Sequence, residues 1–333
     1  MSTSPCDYRL LALENWLKND LNLSIQSIAP ASSDASFRRY FRVEHSAGPH
    51  VVMDAPPDKE NVSAFIRLDK FFEAHDLQVP HIFAENLTEG FLLLEDFGNN
   101  SLLHALNKET ADGLYRQAMQ QLFLLQSRVD PQACNTHSYD HALLNRELDI
   151  FTEWFLQNLL NIELPQLIKD SLYTHLINSA LEQPQVCVHR DFHSRNLMVL
   201  NDQSLGIIDF QDAVIGPVTY DLVSLLRDCY VNWPNEQVSG WMYEHYQKLS
   251  QTGILNAPHD QFKRWFDWMG MQRHLKAIGI FARLHLRDQK SGYLPDIPRT
   301  LDYVLAVSSE YPEFAEFHSF LNKQIVPIYQ EYL

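Results

Sequence analysis

The sequence contains few cysteines and few cationic residues. Its four cysteines lie far apart in 333 residues and form no C-x-x-C pair, so neither a zinc site nor a disulfide framework is indicated. Lysine and arginine number 26 against 42 aspartates and glutamates, which gives a net charge of −16. Because binding to a nucleic-acid backbone calls for a basic surface, this composition argues against a nucleic-acid partner. The cysteine usage favours a reducing compartment.

Long apolar segments are also missing. No stretch approaches the roughly 18 uninterrupted apolar residues of a membrane span, and no basic segment followed by an apolar one opens the chain as in a signal peptide. Hydrophobic residues still make up 45% of the sequence, which is enough to fill a large core. We therefore expect a cytoplasmic protein with no membrane partner, folded as one large domain or two closely associated ones.

Hydrophobic periodicity predicts a β-rich first part of the chain. Helical spacing of apolar residues predicts helices over 8–20 and 61–75. Short apolar runs bounded by turn residues predict strands over 24–29, 40–44, 50–54, 81–85 and 91–94. The turn-prone segment 95–100 is the predicted linker to the rest of the chain.

The rest of the chain has a mainly helical pattern. Long helices are predicted over 110–128, 140–160, 165–181, 236–250 and 259–287. One β-rich island interrupts them, with apolar runs over 186–188, 196–200 and 205–208. The sequence thus predicts an α+β protein with a small β-rich domain over 1–97 and a larger helical domain over 98–333.

Chemically active residue types cluster around this island. The segment VCVHRDFHSRN places His189 and Asp191 directly after an apolar strand, and Asn196 follows Asp191 by five residues. After a hairpin-length gap, Asp209 ends the run GIID. If the hairpin returns Asp209 to the same end of the island, hard oxygen ligands gather there that suit magnesium bound to phosphates.

This set matches the needs of phosphoryl transfer. The protein must orient an attacking hydroxyl and accept its proton, while metal ions neutralise the developing charge. Asp191 fits the first role, and Asn196 with Asp209 fits the second. Each of the three alone could be a turn residue, but their combined spacing favours the catalytic interpretation. His189 is a further candidate in the catalytic loop, and the favoured interpretation is that it braces the loop by hydrogen bonds.

The segment resembles the catalytic loop of the aminoglycoside phosphotransferase family, distant relatives of the protein kinases. The shared pattern is H-x-D-x-x-x-x-N with a second metal-binding Asp on the next strand, and it includes His193, which is similar to a second histidine common in that loop. The stretch from Asp209 through Asp212 to Asp221 also resembles the family, in which an Asp at the last position buttresses the loop. From the residues alone, Asp221 could instead cap an apolar helix.

The resemblance implies a bilobal, protein-kinase-like fold with ATP and magnesium bound between an N-terminal nucleotide-binding lobe and a C-terminal catalytic lobe.

Three further segments narrow the resemblance. SDASFRRYFR (33–42), VVMDAPP (51–57) and FLLLED (91–96) are together similar to bacterial anomeric kinases that phosphorylate N-acetylmuramate and N-acetylglucosamine at C1 during cell-wall recycling. This implies a phosphotransferase whose small-molecule partner is an amino sugar. Two alternatives stay open: a kinase for another small alcohol such as an aminoglycoside, choline or homoserine, and a nucleotide-binding regulatory protein with little turnover.

The match is weakest where ATP would bind. Many relatives carry a cation on the third strand, whereas 51–54 offers none, and the turn 32–36 expected to cover the phosphates has no glycine. The nearby Arg38, Arg39 and Arg42 are possible substitutes for the missing cation. The nucleotide-binding candidates implied by the resemblance are Ser33, Ser36, Arg38, Glu95, Asp96 and Phe97, the last three through their backbone.

The acceptor is expected in the helical lobe, where relatives bind theirs. The candidate acceptor-binding residues there are His193, Arg195, Asp212, Arg227, Trp233 and Arg273. An arginine could pair with the lactyl carboxylate of a muramate, and Arg227, Arg273 and Arg283 are the candidates for that contact.

Overall fold

The computed structural model describes residues 7–33, 37–134 and 136–331. The strands are β1 (Ile25–Ser33), β2 (Arg39–His45), β3 (Gly48–Asp54), β4 (Ile82–Asn86), β5 (Phe91–Glu95), β6 (Gln185–Val188), β7 (Leu197–Val199), β8 (Leu205–Ile207) and β9 (Val214–Pro217). The α-helices are α1 (Tyr8–Asn15), α2 (Val62–Glu73), α3 (Leu102–Ala105), α4 (Ala111–Arg128), α5 (His141–Ile150), α6 (Gln166–Leu181), α7 (Tyr220–Leu226), α8 (Asn235–Thr252), α9 (His259–Leu286), α10 (Ile297–Glu310), α11 (Ala315–Phe320) and α12 (Val326–Glu331). Shorter segments are π-helical at Trp16–Asp20, Phe151–Leu159 and Leu321–Ile325, and 3₁₀-helical at Ser291–Asp296 and Pro312–Phe314.

The chain divides into two compact units. The first contains the described residues up to Asn100 together with Met198–Gln211, and the second contains Ser101–Leu197 and the described residues from Asp212 onward. Residues 198–211, which we predicted to belong to the second domain, therefore group with the first unit. The division at residues 97 and 98 into a nucleotide-binding and a catalytic lobe stays a prediction.

An antiparallel sheet forms the core of the first unit. Its strand order is β1-β2-β3-β5-β4. The apolar face of α1 and the turn after it packs on this sheet, with Leu13, Trp16 and Leu17 buried against Phe41 and Phe91. The helix predicted over 8–20 is present, although its α-helical part ends at Asn15 and a π-helical turn continues to Asp20.

Helices dominate the second unit. The longest is α9 with 28 residues, and its Gly279 lies against the backbone of Ile150 at the end of α5. The helix predicted over 140–160 is divided into α5 and the π-helical segment that follows. Beyond α9, three α-helices form that the sequence analysis did not predict.

The β island differs most from its prediction. Strand β6 pairs antiparallel with β9, which we did not predict, while β7 and β8 form a separate two-stranded sheet. Gly216 and Pro217 argue against a strand in an isolated sequence, because both residue types are depleted in strands. The α+β class is confirmed. Among the described residues, no helix combines the length and apolar character needed to cross a bilayer.

Candidate active site

Two buried carboxylates hold the H-x-D-x-x-x-x-N loop. Asp221, in the first turn of α7, accepts hydrogen bonds from the backbone amides of His189 and Arg190 at 2.6 and 3.0 Å. Asp228, just after α7, accepts one from the amide of Ser194 at 2.9 Å. Burial raises the pKa of Asp221 to about 7, although the two amides that it binds act to lower it. The loop is therefore fixed on both sides of its central aspartate.

The contact made by Asp221 decides between its two predicted roles. The N-cap position of α7 belongs to Thr219, so Asp221 is not the cap. Its side chain is instead fully buried under the loop. The bracing contact implied by the family resemblance is the one observed.

His189 also stabilises the loop. Its ring is buried, and its Nδ1 accepts a hydrogen bond from the backbone amide of Asp191 at 3.3 Å. The ring packs edge-on against Phe192 at 5.7 Å between centroids. These contacts support the bracing interpretation of His189.

Arg190 adopts a left-handed backbone conformation, with φ of 76°. This region costs a residue with a β-carbon about 1–2 kcal/mol, so surrounding contacts must hold it. The amide of Arg190 is bound by Asp221, and its guanidinium donates to Glu147 at 2.6 Å. Tertiary contacts therefore stabilise the backbone immediately before Asp191.

A buried ionic cluster lies beside the loop, with Glu147 at its centre. One oxygen of Glu147 binds Arg190 and lies 3.1 Å from Nζ of Lys276, and the other accepts a hydrogen bond from the Tyr139 hydroxyl. Lys276 also donates to the Tyr220 hydroxyl at 3.0 Å. Burial disfavours the ionised form of Glu147, but Lys276 and Arg190 outweigh it, and the pKa of Glu147 lies below its usual value. The cluster thus holds charged groups on both α5 and α9.

A cavity of about 110 Å³ in the second unit contains the Asp191 side chain in its wall. Charged groups and aromatic rings share this wall. They include Asp191, His193, Tyr230, Arg273, Lys276 and Phe281. Burial disfavours ionisation of Asp191, but the positive charges of Lys276 and Arg273 offset it, and its pKa is lowered. Asp191 is therefore a carboxylate at neutral pH, the form that can accept a proton.

Two of the predicted acceptor-binding residues, His193 and Arg273, line this cavity. Burial lowers the pKa of His193, which makes its imidazole neutral at physiological pH. Arg195 lies over the Tyr230 ring, 3.5 Å from its centroid. Its guanidinium thus packs on the outside of a residue that lines the cavity.

The other predicted acceptor-binding residues lie elsewhere in the second unit. Arg227 donates to Asp267 at 2.6 Å, and Trp233 donates to the Tyr115 hydroxyl at 2.9 Å. Asp212 is exposed to solvent. The structure does not place these three side chains in the wall of the cavity, so their roles rest on the sequence prediction alone.

Arginines of β2 bind carboxylates within the first unit. Arg42 donates to both oxygens of Asp96, at 2.5 and 2.8 Å, and to Oδ1 of Asn99 at 2.6 Å. Arg39 donates to the buried Asp54 at 2.9 and 2.5 Å. Arg42 therefore fixes the path of the chain after β5. The positive charge of Arg39 neutralises the Asp54 carboxylate at the end of β3.

The remaining nucleotide candidates also belong to the first unit. Glu95 ends β5, and its amide donates to the carbonyl of His81 at 2.9 Å. Phe97 is buried, and Gly206 packs so closely on its ring that a β-carbon would come within 2.4 Å. Ser33 ends β1, Arg38 is partly buried, and Ser36 lies outside the described residues.

The two predicted magnesium ligands belong to different units. Asn196 donates from Nδ2 to the carbonyl oxygen of Asp191 at 3.1 Å, which ties its side chain to the loop. Asp209 follows β8 in the first unit with φ of 65°, and its Oδ1 accepts a hydrogen bond from Gln211 at 2.7 Å. A carboxylate and an amide oxygen are donors that suit magnesium completed by phosphate oxygens and water. Their meeting at one ion stays a prediction.

Sequence reasoning missed three residues of the site: Asp228, Lys276 and Glu147. Two of them had a usable signal. Lys276 follows Arg273 by three residues on a predicted helix, so both lie on one face. Asp228 follows Asp221 by seven residues, about two helical turns. Glu147 had no such signal, because its partners come from distant parts of the chain.

Comparison with known proteins agrees with this arrangement. The model of the phosphotransferase enzyme family (APH) matches residues 27–249. The chain is 43% identical over 324 residues to an N-acetylmuramate/N-acetylglucosamine kinase of Pseudomonas putida, covering 93% of this chain and 95% of the relative. It is 39% identical to the kinase of the same name from Neisseria meningitidis, covering 94% and 95%.

Solved structures share the fold at low sequence identity. Aminoglycoside phosphotransferase APH(2'')-Ib with ADP bound has a TM-score of 0.57 at 15% identity, covering 90% of this chain and 98% of the other. Choline kinase LicA from Streptococcus pneumoniae has a TM-score of 0.64 at 9% identity, covering 89% and 99%. These likenesses confirm the protein-kinase-like fold and nothing further. The family match and the relatives at 39–43% identity establish that this chain belongs to the phosphotransferase enzyme family.

Proposed function

We propose that this protein is an ATP-dependent kinase that transfers the γ-phosphate to the anomeric hydroxyl of N-acetylmuramate and N-acetylglucosamine. The observation that carries the proposal is the cavity in which the Asp191 carboxylate stands beside cationic groups and aromatic rings. The names of the relatives in Pseudomonas putida and Neisseria meningitidis support the same acceptors.

Asp191 acts on the acceptor hydroxyl. Its carboxylate accepts the proton of the C1 hydroxyl, whose oxygen forms a bond to the γ-phosphorus of ATP. The bond from that phosphorus to the β,γ-bridging oxygen breaks at the same time, which gives the sugar 1-phosphate and ADP. The braces at Asp221 and Asp228 support this role because they hold the loop in place before the acceptor arrives.

Aromatic and polar walls suit a pyranose ring. The rings of Tyr230 and Phe281 lie 6.4 Å apart and offer apolar surface to the C–H groups of a sugar. His193 offers a polar group to its oxygens. Ligand sites commonly combine apolar walls with a few placed polar groups in this way.

ATP and magnesium complete the proposal. Asn196 and Asp209 would hold magnesium, which neutralises charge on the phosphates during transfer. The segment fixed by Arg42 would bind the adenine ring through its backbone. We propose the cytoplasm as the location, since ATP is available there.

The test is phosphorus NMR of the purified protein with ATP, magnesium and each sugar in parallel. A new anomeric sugar-phosphate signal is expected with the wild type. Asp191→Asn should still bind ATP but lose at least about two orders of magnitude in turnover. Asp260→Asn, an exposed aspartate at the start of α9, is the matched control and should keep full activity.

Other outcomes separate the alternatives. If neither sugar reacts but an aminoglycoside, choline or homoserine does, the kinase assignment stands and the acceptor is wrong. If ATP binds tightly and no acceptor in the panel is phosphorylated, the protein acts as a nucleotide-binding regulator. A near-normal rate for Asp191→Asn would remove Asp191 from the mechanism.

A further inference from the structure

Arg273 is a buried cation without an ion pair. It lies on α9 with 6% of its surface exposed, and its Nε and Nη1 have no hydrogen-bond partner. Its polar neighbour is the Cys229 thiol, a weak acceptor. No carboxylate oxygen of the described residues lies within 4.0 Å of its guanidinium.

Two partly buried arginines of the second unit are paired. Arg190 binds Glu147, and Arg227 binds Asp267, each at 2.6 Å. Lys276, one helical turn after Arg273, is likewise paired with Glu147. The carboxylates of Asp191 and Asp228 attract Arg273 from beyond ion-pair distance. Arg273 differs from its neighbours because no carboxylate binds its buried N–H groups directly, which is unfavourable for a buried charged group.

The position of Arg273 shows where a direct partner would come from. Its side chain lines the same cavity as Asp191, the base in the proposed transfer. His193 lines this cavity too, and its buried Nδ1 has no partner either. A small molecule that enters the cavity can therefore satisfy both side chains at once.

We propose that Arg273 binds a carboxylate on the acceptor, and that it thereby favours N-acetylmuramate, which carries a lactyl carboxylate, over N-acetylglucosamine, which carries none. This inference rests on the proposed function. A carboxylate supplies both the missing acceptors and the missing counter-charge, whereas the acetyl carbonyl common to both sugars supplies one acceptor and no charge. The structure thus selects one arginine among the three that the sequence suggested.

The first test compares kcat/KM for the two sugars. We expect Arg273→Gln to lower kcat/KM for N-acetylmuramate about tenfold to a hundredfold more than it lowers kcat/KM for N-acetylglucosamine. Arg273→Lys should retain part of the preference, because it keeps the charge but loses the planar fork. Arg287→Gln, at the exposed end of the same helix, is the control and should leave both values unchanged.

Equal fold losses in kcat/KM would leave the ratio of the values for the two sugars unchanged. This result would overturn the proposal, because it would mean that Arg273 contacts a shared group or only supports the fold. Thermal unfolding and ATP binding, measured on each variant, show whether the protein is folded.

A second test needs no variant. Isothermal titration with a non-hydrolysable ATP analogue compares binding of N-acetylmuramate and its methyl ester to the wild type. The acid should bind at least about tenfold more tightly, and equal binding would overturn the role of Arg273. This binding comparison tests the role of Arg273 even if neither sugar is phosphorylated. The absence of phosphorylation would contradict the proposed function and not the role of Arg273.

Discussion

The carboxylate of Asp221 accepts a 2.6 Å hydrogen bond from the backbone amide of His189, which lies 32 residues earlier in the chain. The second oxygen of the same carboxylate accepts one from Arg190. One side chain therefore holds two successive amides of the loop, including the residue with the left-handed backbone.

Asp221→Asn should loosen this loop. The asparagine keeps one acceptor oxygen but presents an amide group to one of the two donors, which leaves that donor unpaired. We expect turnover to fall at least about tenfold and the free energy of unfolding to fall by about 1–3 kcal/mol. Steady-state kinetics and urea unfolding measure the two effects, with Asp260→Asn as the control. Equal activity of the two variants would refute the bracing role.

Glu147 and Lys276 should stabilise the fold as a pair. Lys276→Met leaves the buried carboxylate with one cationic partner fewer, and Glu147→Gln leaves the ammonium without its counter-charge. A double-mutant cycle on the free energy of unfolding should give a coupling of more than about 1 kcal/mol. Additive single effects would show that the two charges do not depend on each other.

Arg42→Lys should weaken ATP binding. A lysine cannot reproduce the fork that binds both oxygens of Asp96, so the segment after β5 loses its fixed path. We expect KM for ATP to rise about tenfold with a smaller change in kcat. Arg116→Lys is the matched control, because that arginine forms exposed ion pairs with little effect on stability. A change of similar size in both variants would contradict the prediction.

Gly279→Ala should destabilise the protein. A β-carbon there would lie 2.5 Å from the backbone of Ile150, and backbone cannot move aside as a flexible side chain can. We expect a loss of about 1–3 kcal/mol, measured by urea unfolding. Gly240→Ala on α8 is the control, since nothing lies within 4 Å of its added carbon. That exposed substitution should be neutral or stabilise by up to about 1 kcal/mol.

Acidification should destabilise the fold through buried histidines. Burial lowers the pKa of both His245 and His274 to about 3, below the usual value of 6.5. Between these values the two histidines bind more protons in the unfolded chain than in the folded one, so their contribution to stability falls as pH drops below about 6.5. Asp69 and Asp221 contribute in the opposite direction, because burial raises the pKa of each to about 7. The slope should reach about 1.4 kcal/mol per pH unit for each histidine. Urea unfolding between pH 7 and about pH 5 should show a shallower slope for His245→Gln than for the wild type.

The strongest sequence prediction was the catalytic loop, because its residues are neighbours in the chain. The spacing of Asp191 and Asn196 follows from one loop, and the elements around it follow from apolar periodicity over short windows. The first sheet was predictable for the same reason. Most of its strands are joined by short turns and pair with near neighbours, although helix α2 lies between β3 and β4.

Strand β9 shows where local signals fail. Its residues include Gly216 and Pro217, and it becomes a strand because β6 supplies hydrogen-bond partners from nearly 30 residues earlier. Tertiary context overrides local propensity at such positions.

The sequence by itself determined the reaction class, the residues of the loop and the α+β architecture, since each depends on residues close together in the chain. The tertiary structure decided which charges are satisfied. Arg42 is bound to Asp96 and Arg227 to Asp267, whereas Arg273 faces the cavity unpaired. No local sequence pattern separates these three arginines. The physical reason is that an ion pair depends on distance in space, and packing alone brings together residues that lie 40 or more positions apart.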